Sequence, residues 1–244
     1  MTPVATPRAP VARRPLSTAL GVLGEVLITL GVLLGLFLVW QLWWTDEVGA
    51  RAQAAVVAEL DWEPPTVAPS TAALPRRDDA PVIAEPAFGT TFATLQVPRW
   101  DPVERPISQG TDKSQILDAL GIGHYERTAM PGGIGNFAVA GHRTTYGKPL
   151  NRVEELVLGD PLVVRTQDTW YVYRVSATQV VDPRQIEVIA PVPGDPAAVA
   201  TEATMTLTTC HPMFSARERF VVHAVLDYWM PVVDGSPVEL EGGA

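Results

Sequence analysis

The pattern of hydrophobic and polar positions changes three times along this chain of 244 residues. From Leu16 to Trp44 the only formal charge is Glu25, and between Val26 and Trp40 the only polar side chain is Thr29. A helix of about 20 apolar residues crosses the hydrocarbon core of a bilayer. This run meets that length and ends among Trp40, Trp43 and Trp44, a residue type enriched at the membrane interface. A cleavable signal peptide has a shorter apolar region, about 7–15 residues, closed by a small-residue cleavage site. The longer run and its tryptophans predict an uncleaved signal anchor over 16–44. Thr45 to Leu60 is alanine-rich and begins with Asp46 and Glu47, which suits either a helical extension or a weakly ordered stalk. Between Trp62 and Pro86 six prolines, the first at Pro64, favour extended polyproline-like spacing over helix or sheet.

From Phe88 the chain turns to short apolar runs separated by turn residues. These predict strands over Phe92–Val97, Arg105–Ile107, Asn136–Ala140, Pro161–Thr166, Trp170–Val181, Ile186–Ala190, Thr204–Thr209 and Arg219–Leu226. Gln167-Asp168 reads as a tight hairpin turn. Ser114–Leu120 and Leu150–Leu156 read as short helices, and Pro196–Ala200 as a further helical turn. Closely spaced strands with few helices imply an all-β fold, a barrel or a sandwich.

Charge adds orientation. Residues 1–15 hold Arg8, Arg13 and Arg14 and no acid, which places this end in the cytoplasm and the remainder outside. Residues 45–244 hold 15 of the 18 basic and 26 of the 27 acidic side chains, a net charge of −11. Such a surface argues against nucleic-acid binding and against electrostatic adhesion to an anionic bilayer. The expected partition is a basic cytoplasmic tail (1–15), an anchor (16–44), an extracytoplasmic helical and proline-rich stalk (45–87), a globular domain (88–230) and an acidic tail (231–244).

Cys210 is the single cysteine, so no internal disulfide accounts for it. It follows Thr206-Leu207-Thr208-Thr209, which reads as the end of a strand, and precedes His211-Pro212, where pairing stops. Two readings are open on these residues alone: a thiol held rigidly at a cleft, or a small buried core residue. A free thiol is only a few per cent ionised at neutral pH, so a nucleophilic role calls for an imidazolium beside it. It also calls for a donor aimed at the oxyanion. His142, His211, His124 and His223 are the histidines available. Adjacent strand residues face opposite ways, which sets His211 apart from the thiol. Arg217 and Arg219 both qualify as oxyanion donors, because guanidinium donors form a fixed, always charged fork. The histidines are scattered without paired carboxylates, so no metal and no cofactor is expected.

Thr206-Leu207-Thr208-Thr209-Cys210 resembles the TLxTC signature of the sortases, thiol transpeptidases of Gram-positive cell surfaces. Asn136-Phe137-Ala138-Val139-Ala140-Gly141-His142-Arg143-Thr144-Thr145-Tyr146-Gly147 is similar to the family's histidine segment, and Arg219-Phe220-Val221-Val222-His223-Ala224 to its last strand. Cys210-His211-Pro212 and Gly123-His124-Tyr125 look most like the class E branch of actinobacteria. The resemblance runs from about Phe88 to about Tyr228 and implies an eight-stranded barrel with Cys210, His142 and Arg219 as catalytic residues. Thr208, Thr209, Tyr125, Thr144 and Tyr146 are implied as substrate-binding. The implied reaction cleaves a C-terminal LPxTG-type signal between Thr and Gly, class E members favouring Ala in second position. A thioester on Cys210 then passes to a peptidoglycan amine, so the implied partners are surface proteins and a wall precursor. Two other readings compete: a thiol peptidase of cell-wall peptides, and a non-catalytic barrel that binds wall polymers. The order His142 before Cys210, with the cysteine ending a strand, differs from the papain-like arrangement.

Overall fold

The computed structural model describes residues 15–63 and 75–241. Helix α1 (Pro15–Glu59) contains the apolar run and is long and apolar enough to cross a membrane. Leu23, Leu30, Phe37 and Trp44 are among many of its large side chains left exposed. The basic tail expected over 1–15 lies almost wholly outside the described residues, as does the proline-rich stretch 64–74. From Thr45 onward the chain forms a separate compact unit.

That unit is a closed barrel of β1 (Thr91–Val97), β2 (Asp101–Gln109), β3 (Ile122–His124), β4 (Gly135–Gly141), β5 (Pro161–Arg165), β6 (Thr169–Val181), β7 (Ala203–His211) and β8 (Glu218–Pro231). The order around it is β1-β2-β3-β4-β7-β8-β6-β5, with β5 pairing back to β1. Closure gives every strand of the barrel a neighbour on both sides, which protects it from edge pairing. The pairs β2–β3 and β4–β7 are parallel and the others antiparallel. Alternate residues fill the interior: Phe137 and Val139 from β4, Met205 and Leu207 from β7, Val222 and Ala224 from β8, and Tyr171 and Tyr173 from β6, all completely buried. The Gln167-Asp168 turn joins β5 to β6, with the Thr166 amide donating to the Thr169 carbonyl at 2.9 Å.

Four features differ from the sequence expectations. β3 is three residues long and contains Gly123, so it offers no alternation to detect. Its glycine lets the backbone pass close to β2, where a Cβ would come 2.3 Å from the Gly110 carbonyl. The segment Ile186–Ile189 is a 3-10 turn in place of the expected strand, and only Val188 is buried there, against Val181 and Val221. A short apolar run does not by itself distinguish the two. The expected helices are also shorter: Lys113–Leu117 is a single wide turn, Val153–Glu155 a 3-10 turn, and Pro196–Ala200 no helix at all.

The fourth difference concerns the flanks. Residues 75–87 are packed on the barrel and do not serve as a free spacer. The Arg76 backbone pairs with Trp229, Tyr171 donates to the Pro81 carbonyl at 2.7 Å, and Ala80 and Ile83 cover the core. The acidic C-terminal segment also folds back. Trp170 Nε1 donates to the Gly235 carbonyl at 3.0 Å, Leu240 packs on the Val163–Trp170 cluster, and Glu239 receives Arg174 and Tyr228.

Candidate active site

The parallel register of β4 and β7 pairs Ala140 with Thr208. One step further the Thr209 hydroxyl donates to the Gly141 carbonyl at 2.7 Å; β4 ends there, and His142 is the next residue. On the other side of β7 the antiparallel register pairs Cys210 with Arg219. Cys210 and Arg219 thus face each other across β7 and β8, and His142 directly follows the neighbouring end of β4, at the same end of the barrel. Because Met205, Leu207 and Val222 point inward, strand alternation turns Cys210 and Arg219 to the outer face. The Cys210 thiol is free and half-buried.

The His142 ring is held on two sides. Nε2 lies 2.6 Å from Asp118 Oδ1, and the Tyr146 ring centroid is 5.2 Å away. With Nε2 directed at a carboxylate, that nitrogen carries the hydrogen, leaving Nδ1 for exchange with a thiol. Asp118 follows the Lys113–Leu117 turn, which Asp112 organises by accepting from the Ser114 and Gln115 amides at 3.0 and 2.8 Å. Ile116, fully buried, fixes that turn to the barrel. Lys113 Nζ sits 3.1 Å from the other Asp118 oxygen and 5.6 Å over the Tyr146 ring.

Arg143, one residue beyond His142, is buried beneath the strand end. Its Nη1 donates to the Cys210 carbonyl at 3.4 Å and approaches His211 Nδ1 at 3.0 Å, while Nη2 is 2.5 Å from Glu154. Glu154 also lies 2.9 Å from His211 Nδ1. That nitrogen can accept from Arg143 or donate to Glu154, one at a time. Either way His211 is engaged away from the thiol, as strand alternation requires. His124 and His223 are structural. His124 Nδ1 meets Gln109 at 2.7 Å and His223 Nδ1 meets Thr206 at 2.9 Å, and burial pushes both imidazoles below their ordinary pKa.

Arg219 is half-buried, with Nη1 donating to the Ala216 and Glu218 carbonyls at 3.1 and 3.0 Å. Arg217 precedes β8 in an exposed loop. Tyr125, just after β3, meets Thr208 Oγ1 at 3.1 Å, on the same face of β7 as Cys210. Thr144 and Tyr146 lie on the loop leaving His142. Thr209 does not join them: it alternates to the interior face, buried, with its hydroxyl directed to β4. Asp118 and Arg143 were missed by sequence reasoning. Asp118 lies in a segment whose only visible signal is a short helix, and Arg143 stood within a motif without an assigned contact.

Residues 95–227 match the sortase domain family. The chain is 38% identical to Sortase SrtE1 of Streptomyces coelicolor over 88% of its own length, an alignment that takes in 59% of that relative. Among solved structures, the SrtA sortase from Actinomyces oris superposes with a TM-score of 0.65 at 42% identity, covering 68% of this chain and 96% of that one. Sortase E1 from Streptomyces coelicolor, with a tripeptide in its active site, gives 0.59 at 37% identity, covering 62% and 97%.

Proposed function

Because the chain belongs to the sortase family, we propose that it is a membrane-anchored cysteine transpeptidase. It cleaves a C-terminal LPxTG- or LAxTG-type signal between Thr and Gly and joins the acyl part to a peptidoglycan amine. The observation that carries this reading is the pairing of Cys210 with Arg219 across β7 and β8, with His142 directly after the end of β4, the other neighbour of β7.

In the proposed reaction the Cys210 thiolate, stabilised by the His142 imidazolium, attacks the Thr carbonyl carbon. The oxyanion takes a hydrogen bond from Arg219, whose fork turns from the Ala216 and Glu218 carbonyls towards it. His142 Nδ1 gives its proton to the Gly nitrogen as the C–N bond breaks, leaving a thioester on Cys210. The acceptor amine then attacks that thioester, passes a proton back to His142 and expels the thiolate. Asp118 keeps the imidazole oriented and offsets its positive charge. Tyr125, Thr208, Thr144 and Tyr146 border the groove that receives the signal, whereas Thr209 ties β7 to β4. The apolar part of α1 anchors the enzyme with its arginine-bearing end in the cytoplasm and the barrel outside.

The test is to trap the intermediate. Full-length protein is incubated with LAxTG and LPxTG peptides, with and without hydroxylamine. A thioester mass on Cys210, hydroxamate product and complete loss in Cys210→Ala are expected. Turnover retained by Cys210→Ala would sink the reading. Hydrolysis with no transfer to hydroxylamine or an amine would point instead to a thiol peptidase.

A further inference from the structure

We propose that residues 46–53 of α1, immediately beyond the apolar run, are a positioning element of the active site: this stretch of helix clamps the loop that holds Tyr146 against His142. The proposal rests on the transpeptidase reading for its substrate, but its geometry is independent of it.

Gln53 is a polar side chain on a helix yet is only 6% exposed. Its Nε2 donates to the Tyr146 carbonyl at 2.8 Å, across 93 residues of sequence. Two glycines allow the approach. A Cβ at Gly49 would fall 2.4 Å from both the Tyr146 carbonyl carbon and the Gly147 nitrogen; one at Gly147 would fall 2.6 Å from Gln53 Nε2. One turn earlier, Asp46 and Lys148 pair at 2.9 Å. The helix thus grips the loop at three points along one face.

The gripped segment is one a free loop would not favour. Tyr146, Gly147 and Lys148 have φ of +53°, +73° and +39°. Two of the three are not glycine, and left-handed backbone at such positions persists only where the surroundings over-determine it. Tyr146 in turn packs on His142 and lies under Lys113, which holds Asp118, which holds His142. The contacts form a continuous path from Gln53 to the imidazole. Releasing the helix frees the Tyr146 backbone, and with it one of the two contacts that fix the ring.

The test uses the full chain in detergent micelles or nanodiscs. Gly49→Val pushes the helix off the loop without touching a barrel residue. Coupling of this kind typically amounts to roughly a three- to thirty-fold change. We expect kcat for the sorting peptide to fall by that factor with KM changing less. Alkylation of Cys210 by iodoacetamide should slow in parallel, and amide exchange should accelerate across 143–149 but not within β4 or β7. Asp46→Lys should reproduce part of the loss, and Asp46→Lys with Lys148→Asp should restore it. Unchanged exchange in Gly49→Val would show that the helix does not hold the loop. Accelerated exchange with unchanged alkylation and turnover would show that the grip does not reach His142. Either overturns the proposal. If the wild-type chain cleaves no sorting peptide, the transpeptidase reading fails, and exchange with alkylation still decides this one.

Discussion

Replacing Asp118 by Asn removes one charge from the hydrogen bond to His142 while keeping the side chain's size. Both partners are 17% exposed at the side chain and 2.6 Å apart, a short, partly shielded contact. Opposite charges at about 4 Å interact by roughly 4 kcal/mol at an effective dielectric of about 20, and residual solvent lowers that. Hydrogen bonds to charged groups contribute about 1.5–3 kcal/mol in mutational series, and we take the lower part of that range. The contact matters most when the imidazole is charged, which in the proposed reaction is while it faces the thiolate and the leaving amine. About 1.4 kcal/mol added to the barrier lowers the rate roughly tenfold, so Asp118→Asn should lower kcat about ten- to thirtyfold. KM should change little, because the amide still fills the space and Asp118 does not border the groove.

The assay is steady-state cleavage of a fluorogenic sorting peptide by full-length variants, with near-ultraviolet circular dichroism to confirm packing. Lys113→Ala is the control, since Lys113 touches the other Asp118 oxygen but is 74% exposed at the side chain. Removing it should cost less than about fivefold, in line with exposed ion pairs of about 0–1 kcal/mol. Unchanged kcat in well-folded Asp118→Asn would refute the reasoning. A rise in KM alone would place Asp118 in substrate binding, and an equal loss in Lys113→Ala would locate the effect in the turn as a whole.

Arg219→Ala should lose about 10²–10³-fold in turnover as an absent oxyanion donor, Arg219→Lys should recover little because an ammonium lacks the fork, and Arg217→Ala should keep most activity; peptide cleavage by the three variants checks this. Burial holds the pKa of His124 and His223 down in the folded chain, so the unfolded chain binds more protons once pH falls below about 6.5, and stability drops from there down to the folded pKa values. Thermal midpoints between pH 7.5 and 5 should decline, and a flat profile would contradict it. Thr209→Val should destabilise the β4–β7 junction by about 1 kcal/mol through the lost hydrogen bond to Gly141 while leaving KM for the peptide near wild type, measured by denaturant unfolding and kinetics together.

The barrel was legible where its strands alternate. Met205 and Leu207 inside with Thr206 and Thr208 outside, or Phe137 and Val139 inside, announce both strand and face. Legibility failed where the backbone itself carries the information. β3 has three residues and a glycine required by close approach to Gly110, and no side-chain pattern encodes that. The Ile186–Ile189 turn failed for the converse reason: apolar residues without a period fit a strand as well as a turn. Within the candidate site, the resemblance of the Thr206–Cys210 and Asn136–Gly147 segments to a known family could be read because each segment is local. Thr209 was misplaced by treating neighbours of the thiol as neighbours of its ligand, although strand alternation, applied to Thr209 as it was to His211, puts it inside.

Asp118 and the helix contact at Gln53 had no local signature of either kind. Asp118 reaches His142 across 24 residues of sequence and Gln53 reaches Tyr146 across 93, and neither residue type is unusual where it stands. The register of β3 against β4, which pairs Ile122 with Gly141, brings the first pair to one end of the barrel. The second pair needs more. Gly49 and Gly147 read in sequence as a tolerated helix glycine and an ordinary loop glycine, yet each lacks a side chain where the other's backbone passes. Their joint meaning appears once the helix and the loop are placed side by side. The extension of the apolar run is then more than a spacer: an alanine-rich stretch that fits a plain stalk as well carries one buried glutamine, and that glutamine faces the loop beside the His142 imidazole.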